Sequence, residues 1–340
     1  MLPSKGFNLR RPNPPACAGR SGFSIIELLV VLGTISVLLS LLIPAVQYAR
    51  ESARRAQCIS NLSQLGKAVH SFESQYGYLP PVRGYTEDRS SQETGSGHYR
   101  LLPWLDQSSL YTQLDQKSRE FYRIDKSEEI SPEETPLPIF KCLSDASAFG
   151  TNNYTWSLGS RIHNREPDKL SGAFDTRNDN GQPFLTDIID GLSNTAAICE
   201  RLRGSGDGAV FDRDRDIFFS GSELLIGLES ADEMIPICEA ATPSPGQFSP
   251  FNGRSWAFES YEATWYNHVI PPNSALPYCT TFGADTLKNH TGGAWRGIFE
   301  ASSLHSGTVN LLLLDGSVRT ISNSISLSIW QAMGTKSGGD

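Results

Sequence analysis

FSIIELLVVLGTISVLLSLLIPAV, residues 23–46, is an apolar run of 24 residues that carries one charge, Glu27. As a helix rising about 1.5 Å per residue it is long enough to cross a bilayer. A secretory signal peptide would have a shorter apolar region closed by a small-residue cleavage site. Here the chain passes from Val46 straight into polar, helix-favouring sequence. Ahead of the run, residues 1–22 hold Lys5, Arg10, Arg11 and Arg20 and no acid, a charge of +4. Such a flank stays on the cytoplasmic side, which directs the chain beyond the apolar run outward. By hydropathy alone the segment reads as a plain uncleaved anchor. Glu27 argues otherwise, because a carboxylate in an apolar span costs roughly 2.5–3.5 kcal/mol at the bilayer centre and less near its end. A cut before Phe23 would free an α-amine four residues away, able to pair with that carboxylate on the same helix or a neighbouring one.

The chain beyond the leader is acidic. Of 340 residues, 19% are charged and 39% hydrophobic, and the net charge is −8, so the part after Gly22 carries −12. That balance suits a folded, loop-rich protein and argues against a nucleic-acid partner, which needs a basic face. Past Pro44, which should kink or loosen the helix, Ile59, Leu62, Leu65, Val69, Phe72 and Tyr76 recur at spacings of three and four. One face of this extension is therefore expected to be buried, and Gly77, Pro80 and Pro81 to end it. Arg50, Arg54 and Arg55 read as a solvated or headgroup-facing turn. From Leu79 onward Gly, Pro, Ser, Asn and aromatics predominate, as in a β-rich head. The clearest hairpin is Val309–Leu314, then Asp315-Gly316 as a two-residue turn with positive φ, then Ser317–Ile321. Its near-continuous Leu run predicts a strand buried on both faces, against the long helix. The expected fold class is α+β: residues 1–22 a basic leader, 23–46 a membrane helix, 47–78 its amphipathic extension and 79–340 an antiparallel β-rich head.

At Gly22-Phe23-Ser24-Ile25-Ile26-Glu27 the sequence resembles the prepilin and type II secretion pseudopilin signal. The resemblance implies removal of the leader by a prepilin peptidase between Gly22 and Phe23, N-methylation of Phe23, and Glu27 as the carboxylate that sets register between subunits. Pro44, twenty-second from Phe23, falls where many pilins carry a helix-loosening proline. The head resembles a large uncharacterised group of bacterial prepilin-headed proteins. The matching stretches are PAVQYARESARRAQCISNLSQLGKAVHSFESQYGYLPP, LLPWLDQ at 101–107, Phe140-Lys141-Cys142-Leu143-Ser144-Asp145, DIIDGLSNT at 187–195, LHSGTVNLLLLDGSVR at 304–319 and WQAMGT at 330–335. Leu143 departs from the group's usual proline, and residues 201–300 match least. The implied function is a structural, pilin-like or pseudopilin-like subunit of a surface filament or secretion apparatus. It would sit in the cytoplasmic membrane as a single-pass protein with the head outside. Its partners would be prepilin peptidase, other pilin-like subunits through the helix, and lipid. The alternative is a membrane-tethered module that binds glycan or protein through Trp256, Trp265, Tyr266 and Trp295, although core positions suit those rings better.

Candidate chemistry elsewhere is thin. Cys17 leaves with the leader, so Cys58, Cys142, Cys199, Cys238 and Cys279 remain, an odd number that leaves a free or intermolecular thiol. Spacing does not fix connectivity. The favoured pairs are Cys58–Cys142, tying helix to head, and Cys238–Cys279. Asp212-Arg213-Asp214-Arg215-Asp216 with Glu223 copies a calcium-loop spacing but has Ile217 where glycine is required. Asp175, Asn178, Asp179 and Asn180 form a second oxygen-rich loop, and calcium in some pseudopilin heads makes Asp175 and Asp179 weak ligand candidates; a plain turn suits them better. His305, Asp315 and Ser317 invite a catalytic reading, but Asp315 is needed as a turn former and no nucleophile is placed beside His305. No enzyme activity and no cofactor is expected.

Overall fold

The computed structural model describes residues 24–82, 95–117, 135–162, 171–174, 182–219, 230–280 and 297–338. The chain divides into two units, residues 1–50 and 51–340. The first is the opening half of a long helix, α1 (Ile25–Tyr76), which stays helical through Pro44. Every described residue up to Arg50 is exposed. α1 is long and apolar enough to cross a membrane. Its start is held by a capping box: the Glu27 carboxylate accepts the Ser24 N–H at 2.9 Å, and Ser24 Oγ accepts the Ile26 N–H at 3.3 Å. Its end falls where expected. Gly77, at φ 79°, donates its N–H to the Glu73 carbonyl, a turn that glycine adopts without strain.

The second unit contains the rest of α1 and the α+β head. After α2 (Gly97–Leu101) and α3 (Ser108–Lys117) come β1 (Tyr154–Ser157), β2 (Ala196–Glu200), β3 (Ile217–Phe219), α4 (Ala231–Glu239), β4 (Phe248–Ser249), β5 (Trp265–Tyr266), β6 (Tyr278–Thr280), β7 (Gly297–Ile298), β8 (Thr308–Leu313), β9 (Val318–Ser322) and α5 (Leu327–Gly334). They form a five-stranded sheet ordered β5-β1-β2-β8-β9 and a four-stranded sheet ordered β4-β3-β6-β7. Pairing is antiparallel except at β1–β5 and β3–β6, where loops rather than tight turns bring the strands together in parallel.

The five-stranded sheet is covered on both faces, as the Leu run of β8 implied. Leu312 and Leu314 join Tyr154, Trp156 and Ile198 in a core with Cys58, Leu62, Leu65, Ala68, Val69 and Phe72 of α1. Val309, Leu311 and Leu313 point the other way and pack with Tyr266, Ile321 and Trp330 of α5. A register shift between Ala196 and Ile198 breaks the alternation of β2, and it leaves Ile198 in the core on the α1 side and Cys199 in the α5 cluster. The buried stripe of α1 is thus centred on Cys58, Leu62, Leu65, Val69 and Phe72, while Tyr76 is 49% exposed. Asn61, in the same stripe, donates to the carbonyls of Pro138 and Lys141 at 3.3 and 3.1 Å, so its burial is compensated.

The hairpin turn differs from expectation. Gly316 N–H bonds to the Leu313 carbonyl, Leu313 N–H bonds to the Ser317 carbonyl, and only Gly316 has positive φ, 86°. Leu314 and Asp315 are therefore the centre of the turn and Gly316 its bulge residue, a three-residue loop in place of a two-residue one. Asp315 is kept at the turn by accepting the Ser317 N–H and hydroxyl at 2.8 and 2.6 Å. α1 lies close over this hairpin at Gly66, where a Cβ would stand 2.8 Å from Leu312 Cδ1 and 3.5 Å from the Gly316 backbone. Gly66→Val should therefore destabilise the head by about 1–3 kcal/mol through overpacking, read as a lower urea midpoint by near-ultraviolet circular dichroism.

Candidate functional site

A buried polar cluster occupies the side of the five-stranded sheet that faces α1. Glu51 and Cys58 are seven residues apart, so they lie on one face of the helix. Cys58 is bonded to Cys142, just after the tight turn Pro138–Phe140, with a Cα–Cα separation of 5.3 Å. Cys142 is oriented by Asn153, whose Oδ1 accepts the Cys142 N–H at 3.0 Å. Two residues on, Ser144 Oγ donates to Glu51 at 2.9 Å. Leu143, which stands in place of the group's usual proline, is 62% exposed and bears on none of this.

His305 closes the cluster from the loop before β8. Its Nδ1 donates to Glu51 Oε1 at 2.9 Å; its Nε2 is 3.3 Å from Glu200 Oε1 and 3.5 Å from Cys142 Sγ. Glu200, at the end of β2, also accepts the Asn310 N–H at 2.8 Å and the Asn310 side-chain N–H at 2.9 Å. Burial alone would lower the His305 pKa, but hydrogen bonds and charge from Glu200 and Glu51 more than offset it, and the pKa is raised. Glu51 shows the converse. Burial favours its neutral acid, yet bonds from His305, Arg54 and Ser144 hold it below the ordinary carboxylate value. His98 and His268, buried without a carboxylate partner, are instead pushed down by desolvation to about 3. The acids at His305 make the difference.

A second hub adjoins the first. Asp145 accepts the Arg203 N–H at 3.0 Å, Arg203 Nε at 3.2 Å, Arg215 Nη1 at 2.7 Å and Asn153 Nδ2 at 2.7 Å. Burial raises its pKa, but these donors outweigh burial and hold it below 3.8. The calcium-like run 212–216 is consumed here. Arg215 pairs with Asp145, Asp216 accepts from Ser205 and from the Asp212 N–H, and Arg213 reaches the carbonyls of Ala275 and Glu239. The carboxylates of Asp212 and Asp216 are thus engaged within the head, Asp212 with Arg215 and with the Asp214 N–H. Glu223, Asp175 and Asp179 lie outside the described residues, as do Gly22, Phe23 and Trp295.

Residues 47–328 match the family described as "Protein of unknown function (DUF1559)". The chain belongs to the DUF1559 family. No curated protein and no solved structure matches it. Both hubs lie wholly within the DUF1559 stretch, which begins just after the apolar run; membership therefore speaks for the head and the extension of α1.

The remaining candidates take definite places. Cys238 and Cys279 are joined, linking α4 to β6. Among the described residues Cys199 is the free thiol. It is fully buried, donates to the Asn310 carbonyl at 3.3 Å, and is held protonated by desolvation, which raises its pKa. Trp256, Trp265 and Tyr266 have no exposed surface, so they are core. His305, Asp315 and Ser317 do not form a triad: His305 is occupied by Glu51 and Glu200, and Ser317 by Asp315. Cys142 Sγ stands 3.5 Å from His305 Nε2, where sequence alone does not place it, and is committed to a disulfide. Sequence reasoning also misses Glu51, Glu200 and Arg203. The seven-residue step from Glu51 to Cys58 is the available signal; nothing local marks Glu200 or Arg203.

Asp145→Ala should cost about 3–5 kcal/mol, because it leaves the buried Arg203 without its counter-charge. A depressed carboxylate stabilises above its unfolded pKa and loses that contribution as pH falls. The unfolding temperature should therefore drop below pH 3.8 in the parent, and less steeply in Asp145→Asn, by calorimetry across pH.

Proposed function

We propose that this protein is a prepilin-like structural subunit, cut between Gly22 and Phe23, methylated on Phe23 and held in the cytoplasmic membrane by the first half of α1 with the head outside. The observation that carries the reading is the state of residues 25–46: a helix apolar on every side and exposed throughout, whose continuation is built into the head's core. A helix hydrophobic all round requires lipid or other helices around it. Prepilin peptidase and other pilin-like subunits are the partners this reading requires. Burial of Trp256, Trp265 and Tyr266 takes away three of the four rings on which a glycan-binding role would rest. The role proposed for the head is mechanical and structural, not catalytic.

Glu27 has two duties to separate. Its carboxylate caps Ser24 within its own helix, and in the mature chain it would also pair with the methylated amine of Phe23 on a neighbour. Glu27→Gln keeps an oxygen for the cap but removes the charge. Mass spectrometry of the mature N-terminus should find methyl-Phe23 in parent and variant alike. Crosslinking in membranes should find assemblies in the parent and only single chains in Glu27→Gln. An intact leader would remove the processing claim, and assemblies that survive Glu27→Gln would remove the charge-pairing claim.

A further inference from the structure

The disulfide Cys58–Cys142 does not stand alone. Cys58, Cys142, Glu200 and His305 are all buried, and one donor atom from each lies within 4.8 Å of all the others. Two sulfurs, an imidazole nitrogen and a carboxylate oxygen are a donor set that zinc favours. Ligand bonds of about 2.3 Å to sulfur and 2.0–2.2 Å to nitrogen and oxygen make tetrahedral edges of about 3.5 Å (N–S) and about 3.4 Å (N–O). His305 Nε2 already stands 3.5 Å from Cys142 Sγ and 3.3 Å from Glu200 Oε1. The two sulfurs would have to part, to about 3.8 Å, and the other donor pairs start within 4.8 Å of one another.

The surroundings are those of a ligated histidine. The far nitrogen of His305, Nδ1, donates to Glu51, which is itself fixed by Ser144 and by Arg54 at 2.7 Å. Glu200 is steered by both N–H groups of Asn310. A carboxylate on the remote imidazole nitrogen and hydrogen bonds on the ligating carboxylate set ring orientation and raise ligand basicity in zinc sites.

We infer that these four side chains form a zinc site when Cys58 and Cys142 are reduced, so that the junction between α1 and the head is closed by a disulfide in the oxidised chain and by zinc in the reduced one. The exchange balances with an external dithiol. One of its thiolates attacks a sulfur of the Cys58–Cys142 bond, its second thiol resolves the mixed disulfide, and the dithiol leaves oxidised. The two thiols formed lose their protons as zinc binds, and His305 binds through Nε2 as the neutral ring, with its proton on Nδ1 toward Glu51. Reoxidation runs the other way and releases the metal. A newly exported chain would then have its junction closed before any oxidant reaches it.

The test uses the full chain synthesised into nanodiscs under a dithiol, so that the bond never forms, then freed of reductant without air and titrated with cobalt and zinc. The expected result is one cobalt per chain, with the intense visible bands and thiolate charge transfer of a tetrahedral site, retained in Cys238→Ser/Cys279→Ser and lost in His305→Ala. Glu200→Gln, which keeps the side chain's shape, should weaken binding at least tenfold, and Glu51→Gln, a positioning residue, by about 10–100-fold. Zinc should also raise the ratio of dithiol to disulfide at a fixed thiol buffer, in proportion to its concentration over its dissociation constant. The inference is overturned if the reduced chain takes up no metal, if it stays unfolded with zinc present, or if uptake depends on Cys238 and Cys279 and survives Glu200→Gln and His305→Ala.

Discussion

The constraint on which the head depends is the burial of one stripe of α1, from Cys58 to Phe72, between the sheet and the loops that carry Cys142 and His305. The strand β8 cannot be exposed on its α1 side, because Leu312 and Leu314 are there, nor on the other, where Val309, Leu311 and Leu313 meet Trp330. A sheet apolar on both faces needs two covers, and one of them is the helix that also contains the membrane-length segment. The Cys58–Cys142 bond then closes a long stretch of chain, 84 residues, which limits the unfolded state as well as joining helix to loop.

Three polar groups buried at or beside this interface are answered. Asn61 is bonded to two carbonyls, His305 to two carboxylates and Asp145 to two arginines. Buried pairs of this kind give little net stability against an apolar alternative, yet losing one partner is costly, so they act as tests of correct register between segments far apart in the chain. Glu51, Ser144, Glu200 and His305 come from four such segments. Whatever the head does, α1 is joined to it at this cluster.

The parts of this arrangement that follow a period could be read from sequence. The stripe on α1, the Gly77 stop, the hairpin and the two-faced burial of β8 all come from local spacing and turn chemistry. What could not be read depends on long-range pairing. The parallel contacts of β1 with β5 and of β3 with β6 have no local signature. Glu200 looks like the polar end of a strand until His305 is placed beside it. Arg215 looks like part of an acidic-basic run until Asp145 is found opposite. The turn at Asp315-Gly316 departs from its expected type because an Asp-Gly pair serves either a two-residue loop or the end of a three-residue one, and in this chain Leu314, within the loop, is buried in the α1-side core. The capping box at Ser24 and Glu27 is a local pattern too, although the place of Glu27 in an apolar span draws attention first to its charge.

The central claim is that the extension of α1 is a core element of the head and not a stalk leading to it. Hydrogen exchange on the full chain in detergent, followed by mass spectrometry, tests it most directly. The account predicts that amides from Cys58 to Phe72 exchange only with the slowest set in β2 and β8, at the free energy of global unfolding. Exchange of that stretch at a lower opening energy, while β2 and β8 remain protected, would contradict it.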